Sequence, residues 1–118
     1  MSLNVWLSIK NDVCECCGRG YEGTEVFSAN ITHNLSTMAE NAGIYNHLWR
    51  AEKIGITAAR ELIEPVSKGL ADMKKRPEFY KQFDSSNGWG MYEDFVPWIE
   101  NYLEACKKWP DAKIGISR

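Results

Sequence analysis

The stretch Leu3-Asn-Val-Trp-Leu-Ser-Ile-Lys10 alternates without a break. Leu3, Val5, Leu7 and Ile9 fall on one side; Asn4, Trp6, Ser8 and Lys10 fall on the other. Successive strand side chains point to opposite faces, so a period of two reads as a strand with one buried face. The pattern returns at the far end, where Ala112, Ile114 and Ile116 alternate with Lys113, Gly115 and Ser117. Two half-buried strands at the chain ends pair most simply as antiparallel neighbours. Thr24 to Ser28 is a further candidate strand, returning antiparallel to the first. Asn11 to Gly23 holds three glycines and few aliphatic residues, and reads as a loop or hairpin end.

Between these strands the period becomes helical. Ile31, Leu35, Met38, Ala39 and Ala42 recur at three- and four-residue spacing, which predicts a helix over 30–42 that Asn30 or Thr32 caps and Gly43 ends. Ile44 to Trp49 adds a short apolar turn. Thr57 to Lys75 predicts a second helix, with Thr57 as N-cap and Pro65 as a kink or break. Pro77 restarts a short helix through Phe83. Met91 to Trp109 carries Tyr92, Phe95, Val96, Ile99, Tyr102, Leu103 and Cys106 along one face, and Pro110 ends it. The expected fold is therefore α+β. A small antiparallel sheet pairs the N- and C-terminal strands and packs against a helical middle, with residues 1–118 forming a single domain.

Of the 118 residues, 44% are hydrophobic and 25% charged, which excludes a disordered chain, a collagen-like chain and a coiled-coil rod. The net charge is −2, and no basic field is present, so nucleic acid is not an expected partner. The longest stretch without Asp, Glu, Lys or Arg is Val26 to Ala39. It is too short and too polar to span a membrane. The first ten residues lack the pattern of a signal peptide. Three of the four cysteines lie between Cys14 and Cys17, poor spacing for a disulfide framework, so the expected compartment is the cytoplasm.

Three clusters invite a chemical reading. Cys14-Glu-Cys-Cys17-Gly18 has the shape of half a zinc knuckle. Cys14, Cys17 and His33, joined by Cys16 or Cys106, would complete four ligands. The chain has no second C-x-x-C, and a plain cysteine-containing turn is the competing reading. In Asn30-Ile-Thr-His-Asn-Leu35, the expected helix sets Asn30, His33 and Asn34 at i, i+3 and i+4. Three polar groups would then converge on a small ligand, or His33 would act as a general base. A capped helix with a loop-bonded histidine is the alternative. In Asn87-Gly-Trp-Gly90-Met-Tyr92, the glycines allow close approach of another segment, and Trp89 and Tyr92 could wall a pocket. A rigid turn pinned by a buried tryptophan explains the same residues. Glu93, Asp94, Glu100 and Glu104, followed by Lys107 and Lys108, read as a solvated helix face.

The two polar-aromatic motifs carry a resemblance. Together with Gly43-Ile-Tyr45, Leu48-Trp-Arg50, Tyr102-Leu-Glu-Ala-Cys106 and the ending from Pro110 to Ser117, they resemble a family of short uncharacterised proteins from phages, prophages and bacterial genomes. The resemblance spans most of residues 26–118 and brings no activity with it. It implies that the His33 run and the Gly-Trp-Gly loop belong to one shared pattern.

The expected function is a non-enzymatic binding or interaction domain. It would recognise a small polar ligand or a protein partner through Asn30, His33, Asn34, Trp89 and Tyr92, without a cofactor. One alternative is a small hydrolase-like enzyme with His33 as general base. Another is a zinc-stabilised structural module through Cys14 and Cys17.

Overall fold

A computed structural model describes residues 2–9, 24–84, 88 and 90–118. Strand β1 (Ser2–Ile9) lies at the centre of a three-stranded antiparallel sheet, flanked by β2 (Thr24–Thr32) and β3 (Lys113–Ser117). The expected pairing of the first and last strands is present. Val5 stands opposite Ile116 and Leu7 opposite Ile114. On the other flank, Leu3 faces Ile31, Val5 faces Ala29 and Leu7 faces Phe27, before the register shifts between Leu7 and Ser8. The alternation of β1 thus becomes a buried face: Leu3, Val5 and Leu7 are fully covered. Among the described residues, the cover comes from α1 (Ser36–Asn41), α2 (Tyr45–Trp49), α3 (Arg60–Lys75), α4 (Pro77–Lys81) and α5 (Tyr92–Lys108).

The helix expected over 30–42 begins later than its apolar spacing implies. Strand β2 continues to Thr32, a 3-10 turn occupies His33–Leu35, and α1 starts at Ser36. Ile31 accounts for the difference. It fits the helical spacing with Leu35, but it also continues the period of two from Phe27 and Ala29, and the β1 partner Leu3 fixes the second choice. β-Branched Ile31 and Thr32 suit an extended strand. Thr32 then ends it, and its hydroxyl accepts from the Asn34 backbone N–H at 3.3 Å.

The next helix also starts late, at Arg60 in place of Thr57. The preceding residues are spent on the sheet edge: Thr57 C=O accepts from Ile114 N–H, and Ala59 N–H donates to Ala112 C=O. Pro65 does not split α3, which runs unbroken to Lys75. It takes its bond away from Glu61, as Pro97 of α5 does from Glu93. Both carbonyls belong to exposed residues near a helix start, where water can serve them. The opposite edge of the sheet is covered by α5, whose Trp98 Nε1 donates to Asn30 C=O at 3.1 Å. Covering an edge in this way removes a template for pairing with another chain.

Beneath that edge, Tyr102 is 1% exposed, stacked on Phe27 at 5.8 Å and met edge-on by Trp98 at 5.6 Å. Its hydroxyl has no hydrogen-bond partner among the described residues, and burial raises its pKa. One turn further on, Cys106 is also buried, and burial pushes its thiol up to about 12. An unsatisfied buried hydroxyl costs about 1–3 kcal/mol, so Tyr102→Phe should raise the unfolding free energy by about 1 kcal/mol in urea titrations. A loss of stability would show that the hydroxyl has a partner after all. The Cys106 shift sets an alkaline limit. The unfolded thiol releases its proton near 9 while the native one retains it. Stability is therefore complete below that pH and falls as pH rises towards about 12. Cys106→Ala should flatten this alkaline slope, and native Cys106 should resist thiol reagents that label the unfolded chain.

Candidate functional site

The expected polar triad does not lie on one helical face. Because β2 continues through Thr32, Asn30 is a strand residue, and its amide belongs to the sheet surface away from the helices. Its Nδ2 donates to Asn4 Oδ1 and to Ser2 Oγ, each at 2.8 Å. His33, three residues on, turns into the helical layer. There Trp49 Nε1 donates to His33 Nδ1 at 2.9 Å. The structure separates Asn30 from His33, with one on each side of the sheet.

Trp49 holds His33 from a packed position. It is 1% exposed, stacked on Tyr45 at 5.5 Å and set edge-on to Phe95 at 6.3 Å. Its indole N–H therefore has a defined direction. A neutral imidazole has one N–H and one acceptor nitrogen. With Nδ1 engaged as the acceptor, the proton resides on Nε2. The ring can donate from Nε2, but its one lone pair already faces Trp49. A general base needs that lone pair free for the substrate proton.

Asn34 is exposed and meets the loop before α5. Gly90, at φ +108°, lies against it: a Cβ there would sit 2.9 Å from Asn34 Cβ and 3.3 Å from Thr32 Cγ2. The glycine of the Gly-Trp-Gly motif thus touches the Asn30–Leu35 run. Trp89 and Asn87 lie outside the described residues, as do Cys14, Cys16 and Cys17. Tyr92 serves another joint. Its backbone N–H donates to Asp84 Oδ1 at 2.6 Å, and its hydroxyl donates to Met73 C=O at 2.9 Å. The first bond ties the start of α5 to the segment after α4, and the second ties it to the last turns of α3. Partial burial raises the Tyr92 pKa, so the hydroxyl remains a donor.

The sheet surface that holds Asn30 also holds Trp6, a residue the motif reading passed over. Trp6 stands opposite Ser28 on one side and Gly115 on the other. Its indole lies across Gly115 so closely that a Cβ there would fall 2.0 Å from Trp6 Cε2. Asn4, Trp6, Glu25, Ser28 and Asn30 line a shallow hollow of about 380 Å³ beside it. The sequence signal was the alternation itself, which sets a tryptophan among Asn4 and Ser8 on the face opposite the core.

Among the described residues, no group of three His, Cys, Asp or Glu side chains is placed to hold a metal ion. No helix there is long and apolar enough to cross a membrane. Neither a protein-family model, nor a curated protein, nor a solved structure matches the chain.

The Trp49 bond fixes a tautomer that NMR can read. Long-range ¹H–¹⁵N correlation of neutral His33 should show Nδ1 as the unprotonated nitrogen and Nε2 as the N–H. The opposite tautomer would free a lone pair at Nε2 and restore the general-base role.

Proposed function

We propose that the domain is a non-enzymatic binding module for a small polar ligand, and that the ligand is a neutral polyhydroxylated molecule of the saccharide class. The carrying observation is the Trp6 indole laid across Gly115 beside the Asn30–Asn4–Ser2 hydrogen-bond ladder. A ring resting on backbone turns its second face away from the sheet. That flat apolar face suits the C–H side of a sugar ring. The amides of Asn4 and Asn30, the Ser28 hydroxyl and the Glu25 carboxylate offer both donors and acceptors to the hydroxyls around it. Ordered apolar contact with a few oriented polar groups is the general pattern of a small-molecule site.

This reading keeps Asn30 as a ligand-binding residue. It leaves His33, Asn34 and the Gly90 loop as a second polar surface on the other side of the sheet. The enzymatic alternative draws no support from the Trp49–His33 bond, which occupies the lone pair that it requires. The resemblance to short phage and bacterial proteins brings no activity and does not bear on the choice. The zinc alternative rests on Cys14 and Cys17, and metal analysis of protein purified without chelator tests it directly.

A panel of mono- and oligosaccharides titrated against labelled protein tests the proposal. Binding should shift the Trp6 indole N–H and the side-chain amides of Asn4 and Asn30. Trp6→Ala should weaken binding by about tenfold or more, the loss of roughly one aromatic contact, in protein that still folds, with the modest drop in thermal midpoint that uncovering Gly115 brings. A panel that leaves the Trp6 resonance still, or a Trp6→Ala protein that binds equally well, would overturn it.

A further inference from the structure

A second hollow lies along α1, α2 and the turns that follow them. Gly43, at φ +76°, turns the chain between α1 and α2. Around that turn, Glu40, Tyr45, Asn46, His47, Arg50 and Ile54 line an open cavity of about 500 Å³. The motif reading assigns these residues no role.

Their chemistry is unusually uncommitted. The Glu40 carboxylate has neither a hydrogen-bond partner nor an ion-pair partner among the described residues. Arg50 donates from Nε to the Tyr45 hydroxyl at 3.3 Å, which leaves its two terminal nitrogens without a described partner. No described carboxylate lies within 4.0 Å of it; Glu52 is near enough to act on it through space, but that carboxylate is bonded to Arg118. His47 Nδ1 is shielded from solvent and has no hydrogen-bond partner among the described residues. Ile54, at 41% exposure, is the one exposed large hydrophobic side chain among the described residues.

We infer that this cavity binds a small zwitterion of the α-amino-acid class with an apolar side chain. The argument is charge matching. Burial lowers the pKa of His47, which favours the neutral ring, against the smaller opposing effect of the Gly43 backbone. The wall then carries one cation, Arg50, and one anion, Glu40, which do not neutralise each other by contact. A simple anion would satisfy Arg50 but face Glu40, and a simple cation would do the reverse. A ligand with both charges satisfies both groups at once. Its carboxylate takes the forked donors of Arg50, a geometry that guanidinium offers and ammonium does not. Its ammonium donates to Glu40. Its side chain covers the exposed part of Ile54, and Asn46 supplies a neutral amide at the rim.

The full chain titrated with L-leucine, N-acetyl-L-leucine and L-leucinamide tests this inference, with the Gly43 amide and the His47 ring as NMR reporters. Leucine should bind saturably at millimolar concentration. Each capped form, lacking one charge, should bind about tenfold more weakly or worse. In Glu40→Gln the penalty against N-acetyl-leucine should disappear, because the repelling carboxylate is gone. In Arg50→Gln leucine binding should be lost, with the thermal midpoint retained. If leucine leaves both reporters unmoved, the inference fails. It also fails if N-acetyl-leucine binds the natural chain as well as leucine does, which marks a plain anion site. Persistence of the discrimination in Glu40→Gln would overturn it equally. The wild-type panel decides the matter even where a variant does not fold.

Discussion

The domain depends on the alternation of one strand. β1 is the central strand, and both flanking strands of the sheet pair with it. Leu3, Val5 and Leu7 supply the floor on which the helices rest, fully covered. A shift of one residue would put Asn4 and Trp6 into that floor and Val5 into water, because the side-chain period is two. The consequence reaches both ends of the chain. β3 is held in register by the same residues, and its outer edge in turn takes the backbone of Thr57 to Ala59. The start of α3 is therefore set by the sheet and not by its own N-cap.

Trp49 does for the helical layer what β1 does for the sheet. Its ring packs between Tyr45 and Phe95, and its N–H holds His33. Its carbonyl accepts from Arg118 at 2.7 Å, and the same nitrogen of Arg118 pairs with Glu52 at 2.6 Å. The Arg118 bond holds the Glu52 carboxyl below the usual carboxylate range. One buried residue thus joins the 3-10 turn, α2, α5 and the residue that follows β3. Aromatic rings carry large buried area with few rotatable bonds, which suits them to such joints.

The fold was legible where a residue obeyed a single period. Leu3 to Ile9 and Ile114 to Ile116 fit only a strand, and Phe95 to Cys106 fit only a helix. The reading slipped where two periods shared a residue. Ile31 belongs to the alternation from Phe27 and to the helical spacing with Leu35, and only its partner on β1 chooses between them. Thr57 met the local requirements of an N-cap, yet its carbonyl is claimed by Ile114, 57 positions away in the chain. Local signals cannot register a competitor of that kind. The site followed the same logic. His33 and Asn34 were visible as polar residues beside an apolar run, but the separation of Asn30 from them depended on where β2 ended. Trp6 was visible only as half of an alternation, and its meaning came from Gly115, which the sequence places at the other end of the chain.

Gly115 also explains why the outer sheet surface differs from an ordinary solvated face. Glycine weakens a strand interior, since it orders more backbone freedom and offers no side chain to its neighbours. An aromatic side chain laid across a strand glycine restores some of that lost contact. Stability alone would be served as well by a β-branched residue at 115, with Trp6 replaced by a threonine or a serine like its neighbours. The pair Trp6–Gly115 instead packs the indole on strand backbone, beside the hollow that Asn4 and Asn30 line. Those amides are already aligned by their mutual bond and by Ser2. A ligand meeting this surface would find the polar groups oriented before it arrives, so little ordering entropy would be lost on binding. That preorganisation distinguishes the Trp6 surface from the His33 surface, where the polar atom best placed to act is already bonded to Trp49.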